Sequence, residues 1–382
     1  MYYGDFCGEK VSALGLGCMR LPVIDGEQNM IDEAAAFAMF DKAVESGINY
    51  FDTAYPYHGG TSEALVGRAL ARYPREKWLL ASKFPGFEIE TMSKAESIFE
   101  EQLQRCGVDY FDFYLLHNVW EKNIDGYLDE KYGVIDYFLR QKELGRIRHL
   151  GFSCHGSTET LRRFLDAVGE HMEFVQLQIN WIDWEMQDAK EKVELLRERN
   201  IPVIVMEPLR GGRLVKLPEE EIAALRALRP QESVPGWSFR FLQSIESVKL
   251  ILSGMSNMEQ LTENIAIFAE DKPTTETERE ALLSLGRRVL GGVPCTGCRY
   301  CTGQCPQELN IPGLLKLYNE HMFDKNFMIG GAIEALPEDK KPSACLGCRA
   351  CEAICPQNIK ISEALADLAA RLEAEKKKKE EK

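Results

Sequence analysis

Short apolar runs alternate with longer amphipathic stretches along residues 12–271. The runs predict strands at 13–16, 48–52, 79–83, 111–117, 147–153, 174–180, 202–206 and 248–253. Helical patterns fall between them, at 32–46, 62–71, 93–105, 134–144, 158–168, 188–199, 233–244 and 258–268. In the first of these, Phe37, Phe40, Ala43 and Val44 recur three and four residues apart and predict one buried face.

Strands separated by helices call for parallel pairing with right-handed crossovers. Eight such units in ~250 residues is the size of a (β/α)₈ barrel. An open doubly wound sheet is the alternative, and it begins with a glycine-rich turn running straight into a helix. The stretch GLGCMR has two glycines at that spacing, but Arg20 stands where the third belongs, and the next helical pattern starts about ten residues later. The fold class expected is therefore α/β, a barrel over 1–271. A short hairpin formed by YYGDF and KVSAL would close its bottom.

Residues 272–293 start polar, with a helix cap at Thr275, and predict an amphipathic linker helix. Residues 294–361 hold eight of the twelve cysteines and form a small, mainly helical domain, and 362–382 end in a charge run read as a solvated helix end. No apolar run reaches ~18 residues, so no membrane-spanning helix is expected. The first residues, MYYGDFCGEK, lack a basic region followed by an apolar stretch, so a cytoplasmic chain is expected. The formal charge of −14 argues against nucleic acid as a partner, because phosphates need a basic stripe.

The cysteine blocks read CTGCRYCTGQCP and CLGCRACEAICP. Each is C-x₂-C-x₂-C-x₃-C-P, the run of bacterial ferredoxins that hold two [4Fe–4S] clusters. Three thiolates wrap one corner of a cubane, and the fourth turns away to serve the other cluster. Cluster one is expected on Cys295, Cys298, Cys301 and Cys355, and cluster two on Cys345, Cys348, Cys351 and Cys305. Zinc would leave cysteines over in each block. A disulfide scaffold would be small and secreted. The 39 residues from Pro306 to Ala344 include NIPGLLKLYNEHMF, a helix from about Pro312, and the arrangement resembles helical ferredoxins.

Active sites of such barrels lie at the C-terminal ends of the strands. Three successive predicted strands end at Asp52, Lys83 and His117, and Tyr57 follows on the loop after Asp52. A tyrosine of pKa ~10 is a poor acid at neutral pH, and an adjacent ammonium is expected to lower that value. Asp52 would hold Lys83 charged, and His117 would donate a hydrogen bond to a carbonyl oxygen as charge develops. Such a set suits proton transfer coupled to hydride transfer. Tyr55 is a rival for Tyr57. His58, Cys154 and His155 lie near the same rim, with Trp120, Trp181 and Trp184 as pocket walls or core. Cys7, Cys18 and Cys106 read as small buried thiols.

At this point the chain resembles the aldo-keto reductases, in the subgroup with a C-terminal ferredoxin-type domain. The pieces are LGLGCMRLP, FDTAYPYHGGTSE, SKF, LLH, GFS, QLQIN, EPLRGGRL and TENI, in family order over 1–271. The resemblance implies an NAD(P)-dependent oxidoreductase acting on a carbonyl or alcohol. Tyr57 would be the proton donor, supported by Lys83 and Asp52, with His117 orienting the carbonyl. It implies cofactor contacts from Met19 and Arg20, nicotinamide contacts from Ser153, Gln178 and Asn180, and pyrophosphate or adenosine contacts from Pro208, Leu209 and Gly211. Ser253, Gly254, Ser256, Gln260, Glu263 and Asn264 complete the implied set. Gly254 and Gln260 stand where many NADP-preferring members carry a cation, with Arg210 or Arg213 as substitutes.

A nicotinamide passes two electrons as hydride, whereas a [4Fe–4S] cluster carries one. In one reading the barrel performs hydride transfer, and the clusters stabilise the fold, sense redox state or dock a partner. In a second, the clusters relay electrons between an external ferredoxin- or flavodoxin-like carrier and a barrel-bound acceptor such as flavin, for which the sequence has no signature. In a third, the barrel has lost catalysis. Retention of Tyr57, Lys83, Asp52 and His117 favours an active barrel.

Overall fold

A computed structural model describes residues 1–289, 292–293, 295, 297–323 and 327–380. Parts of the expected linker (290 and 291), the first residue of the expected cluster domain (294), one residue inside its first block (296) and the last two of the charged end (381 and 382) lie outside the described residues. The described chain divides into two compact units, Met1–Leu282 and Leu283–Lys382.

The first unit opens with an antiparallel hairpin of β1 (Tyr3–Phe6) and β2 (Glu9–Ser12). Its two-residue turn, Cys7–Gly8, has φ of 54° and 84°, the doubly left-handed turn that fits the twist of paired strands. Eight strands follow: β3 (Leu14–Gly17), β4 (Tyr50–Asp52), β5 (Leu79–Phe84), β6 (Phe111–Val119), β7 (Ile147–Cys154), β8 (Val175–Gln178), β9 (Val203–Met206) and β10 (Val248–Gly254). All are parallel, and β10 pairs with β3 to close the barrel. Each overlaps one of the predicted apolar runs. β4, β5 and β6 are buried at every position, so they read as continuous apolar runs rather than alternating ones.

The hairpin closes the bottom. Phe6 and Val11 enter one apolar cluster with Tyr50, Phe113, Phe174 and Leu250. The Phe6 ring lies 5.4 Å from Phe113 and 5.6 Å from Phe174. Cys7 is only half-buried, so the expectation of a fully buried thiol fails there; the turn holds it at the edge of that cluster.

The outer helices fall where the periodicity puts them. Helix Glu33–Glu45 is capped by Asp32, whose side chain accepts from the Ala35 amide. Its buried stripe is Ala36, Met39, Phe40 and Ala43, so the face is rotated from the expected one, and Phe37 and Val44 lie at its margin. Helices Ser62–Leu70 and Ala95–Cys106 meet at Gly67, where an added Cβ would lie 2.2 Å from the Cys106 carbonyl oxygen. Four helices of the first unit go beyond the predicted set: Ile89–Met92, Ile124–Leu128, Asp183–Met186 and Glu219–Leu228. Trp181 and Trp184 prove to be core rather than pocket wall. Trp181 is buried and donates to Ser238 Oγ at 2.8 Å, and Trp184 packs on Phe241 with Arg279 over its ring.

Helix Glu276–Val289 crosses the division between the units in sequence. It begins with a capping box: Thr275 Oγ1 accepts from the Glu278 amide, and the Glu278 carboxylate accepts from the Thr275 amide at 2.8 Å. In the second unit, helices Ile311–Phe323 and Ile361–Glu380 pack with the two cysteine blocks, and helix Phe327–Glu334 packs on those helices through Ile329 and Ile333. The charged end is the tail of the last helix. Its first turns bury Ile361, Ala364, Leu365 and Leu368 in the core, and the residues from 371 to 378 are half-buried or exposed.

Candidate active site

Parallel registration brings the strand ends to one rim. Asp52 closes β4 and pairs in register with Gly17, Lys83 is the penultimate residue of β5, and His117 lies near the end of β6. Tyr57 opens the turn Tyr57–Gly60 that follows β4. The four residues expected to act together do meet. Lys83 Nζ, 1% exposed, donates to Asp52 Oδ1 at 2.6 Å, to the Thr53 carbonyl at 2.8 Å and to the Tyr57 hydroxyl oxygen at 3.3 Å. An ammonium has three protons and only donates, so all three are used. The Tyr57 oxygen is the acceptor in its contact, which leaves the phenol proton directed elsewhere.

Electrostatics refine the expectation. Burial disfavours the Lys83 ammonium, but the charges of Asp52 and Tyr57 outweigh it and hold the amine above its usual value. Burial also pushes the Tyr57 phenol above its ordinary value. Lys83 pulls it down, while Asp52 and Glu207 push it further up. The lowering expected from the ammonium is therefore reversed, because desolvation of the phenolate is the larger effect. His117 stands with its ring 6.0 Å from that of Tyr57, near perpendicular, and 4.9 Å from Phe87. Burial, then Lys83 and His155, depress its imidazole well below the usual range, so it is neutral at neutral pH.

The other rim residues sort themselves by their partners. The Tyr55 hydroxyl donates to Glu101 at 2.9 Å beneath the Arg105 guanidinium, so it turns from the tetrad. His58 is neither a substrate contact nor solvated. Its Nε2 accepts from the Leu21 amide at 3.2 Å, and its Nδ1 lies 2.7 Å from the Gln28 carbonyl, which fixes the proton on Nδ1. It staples the loop after β3, a role that its place in the sequence gave no signal for. Cys154 is buried at the end of β7, and burial pushes its thiol up to about 11. Trp120 follows β6 and is half-buried, with Lys122 over its ring.

The implied cofactor residues lie at the ends of β3, β7, β8, β9 and β10 or on the loops behind them. Arg20 crosses Gly254, where an added Cβ would meet its aliphatic chain at 3.1 Å, and comes within 3.0 Å of the corresponding point at Gly211. Its guanidinium ends 3.7 Å from Glu207. Met19 is exposed. Ser153 Oγ accepts from the Asn118 amide at 2.7 Å, leaving its own proton free to donate. Asn180 is saturated: its oxygen accepts from the Ile182 and Asp183 amides, and its nitrogen donates to Asp183 Oδ2 and the Glu207 carbonyl. Ser253 Oγ accepts from Asn264, Gln260 accepts from the Ser256 amide, and Glu263 is half-buried. Arg210 is 3% exposed and paired with Asp183, so it does not substitute for a surface cation; Arg213 is exposed.

In the second unit, the cysteines line two cavities. One is lined by Cys295, Cys298, Cys301 and Cys355, with Pro312, Leu315 and Ile359. The other is lined by Cys305, Cys345, Cys348 and Cys351, with Leu309 and Leu365. Each cavity thus takes three thiols from one block and one from the other. No three histidine, cysteine or carboxylate groups among the described residues converge as ligands of a single ion. No helix among the described residues is long and apolar enough to cross a membrane.

Comparison with known proteins fits both units. Residues 13–281 match the aldo/keto reductase family, and residues 294–359 match a 4Fe–4S dicluster domain. A probable aldo-keto reductase of Glycine max is 32% identical over 213 residues, spanning 54% of this chain and 58% of that protein. An uncharacterized oxidoreductase of Bacillus subtilis is 28% identical over 304 residues, 72% of this chain and 92% of its own. An aldo-keto reductase of Bacillus halodurans, in a holo-form structure, is similar with a TM-score of 0.61 and 26% identity, over 75% of this chain and 96% of that one. With the closed eight-stranded barrel and its rim in place, the chain belongs to the aldo/keto reductase family of oxidoreductases and carries a C-terminal 4Fe–4S dicluster domain.

Proposed function

We propose that the barrel interconverts a small-molecule carbonyl and alcohol with a nicotinamide cofactor, Tyr57 carrying the proton. The observation that carries this reading is the contact of Lys83 Nζ with the Tyr57 oxygen at 3.3 Å, with Asp52 behind it at 2.6 Å. A bound nicotinamide supplies or accepts the hydride. The phenol stays protonated at neutral pH, as a proton donor must. Lys83 offers its charge to the phenolate left after donation. Neutral His117 donates one N–H to the carbonyl oxygen, orienting it toward Tyr57. Phe87, its ring 4.9 Å from that of His117, is read as the apolar side of the substrate site.

The rim fits the cofactor. A carboxamide needs one acceptor and one donor, and Gln178 Oε1 and the Ser153 hydroxyl offer them. Met19, Arg20, Pro208, Leu209 and Gly211 are read as the walls along the pyrophosphate. Ser253, Gly254, Ser256, Gln260, Glu263 and Asn264 are read as the adenosine end. The dinucleotide is read as NAD or NADP; Arg213, one residue past EPLRGG, is exposed.

The second unit is read as holding two [4Fe–4S] clusters with crossed ligation: Cys295, Cys298, Cys301 and Cys355 on one, and Cys345, Cys348, Cys351 and Cys305 on the other. Eight thiols divided four and four between two cavities support it. The clusters exchange single electrons, so a ferredoxin- or flavodoxin-like carrier is the partner class they suit.

Substitution Tyr57→Phe tests the barrel reading. Carbonyl reduction is expected to fall ~10²- to 10⁴-fold, with dinucleotide binding and melting temperature unchanged. Activity within a few-fold of the parent would reject Tyr57 as the acid.

A further inference from the structure

Asp183 plays no part in the chemistry above, yet it is fully buried behind the ends of β8 and β9. Its Oδ2 accepts from Gln178 Nε2 at 2.8 Å and from Asn180 Nδ2 at 2.5 Å, and its Oδ1 lies 3.4 Å from Arg210 Nη1. A carboxylate only accepts, so the amide atom facing it must be the NH₂ group. The orientation of both amides is therefore dictated by Asp183. For Asn180 the consequence is saturation, with no capacity left for a ligand. For Gln178 it is the opposite: one N–H is tied to Asp183, and Oε1 accepts no side-chain hydrogen bond among the described residues.

We infer that Asp183 is a positioning residue that locks the Gln178 amide with its oxygen toward the barrel mouth, so that Gln178 Oε1, rather than Asn180, accepts the NH₂ of the cofactor's carboxamide. This rests on the nicotinamide reading. The Ser153 hydroxyl takes the carboxamide oxygen. Asn180 acts instead as a post. It ties the turn after β8 to the Glu207 carbonyl after β9, at 3.1 Å. A carboxylate is required at 183 because a neutral amide there presents either an oxygen or an NH₂. Gln178 is then free to flip and set its own NH₂ against that of the carboxamide.

The test compares the dissociation constants of NADH and of its 3-acetylpyridine analogue, in which a methyl group replaces that NH₂. NADPH and its analogue replace them if the parent protein uses NADPH. Both are titrated into the intact, cluster-loaded protein. The parent is expected to prefer the carboxamide about tenfold, the scale of one net hydrogen bond. Asp183→Asn should reduce the preference to near unity while the analogue binds as before. Gln178→Leu should do the same, and it carries the test if Asp183→Asn does not fold. A folded Asp183→Asn that keeps the parent's preference overturns the role of Asp183 alone, and a folded Gln178→Leu that keeps it overturns Gln178 as the acceptor and the inference with it. A parent that binds neither dinucleotide overturns the nicotinamide reading and this inference with it. A merely structural Asp183 would weaken both ligands equally and leave the ratio intact, which also overturns it.

Discussion

The barrel and the cluster domain organise their chemistry by opposite means. The barrel draws Asp52, Tyr57, Lys83 and His117 from three strands and a loop, and the chain alone holds them: the first three through a buried ion pair and the hydrogen bonds of one ammonium, and His117 by ring contacts with Tyr57 and Phe87. The cluster domain keeps its ligands local, in two short blocks, but the thiols line cavities, and the walls of those cavities are the core. Cys301 and Cys351 belong to the same apolar cluster as Leu309, Ile311, Leu315, Ile361 and Leu365. One site is arranged by folding before anything binds. The other shares its core with whatever occupies it, so binding free energy there is folding free energy.

Removing the iron gives the largest effect that this contrast predicts. Anaerobic chelation should unfold the helices around the cysteine blocks and leave the barrel's melting transition in place. Circular dichroism followed over a melt separates the two, and loss of both units together would erase the contrast. Crossed ligation sharpens it. Cys305→Ser should damage the cluster nucleated by the second block, and Cys355→Ser that of the first, read by iron content and electron paramagnetic resonance. Damage confined to the block that carries the substitution would reject crossing.

A smaller loss is expected in the barrel from Lys83→Met. Removing one partner strands a buried carboxylate, at about 3–5 kcal/mol in urea unfolding. A loss below about 1 kcal/mol would mean that Asp52 is satisfied without Lys83, since a surface pair is worth no more than that.

The smallest concerns pH. Burial depresses the His58 pKa, and its Nε2 faces an N–H, so the folded state prefers the neutral ring. A depressed pKa contributes stability that is present above the unfolded value of ~6.5 and lost as pH falls through the folded one. The protection of the Leu21 amide, its exchange rate relative to unfolded peptide at the same pH, should fall in that window, and His58→Gln should remove the fall while keeping an acceptor. Protection that is flat from pH 7 to 5 in the parent would sink this account.

How much was legible follows from the range of the interactions. All eight barrel strands were visible because a parallel barrel buries both faces of each strand and writes them as apolar runs. The cysteine blocks were visible because cluster ligation is local. The tetrad was visible as residue types at strand ends. The direction of the Tyr57 shift was not, because desolvation depends on how tightly the fold closes around the ring. The saturation of Asn180 was hidden as well, although Asn180-x-x-Asp183 has the spacing of a capping box, and that signal would have pointed to it. Helices Asp183–Met186 and Ile124–Leu128 are too short for a period to show. The role of His58 could not be read, because both of its partners lie far off in sequence.

The hairpin under the barrel divides labour between its two ends. With Phe6 and Val11 packed on Tyr50, Phe113, Phe174 and Leu250, the lower ends of the strands are a floor of apolar side chains. Ligands are left to the opposite face, where the strands end and the loops begin. Those loops are free to diverge toward new substrates while the floor keeps the strands in register.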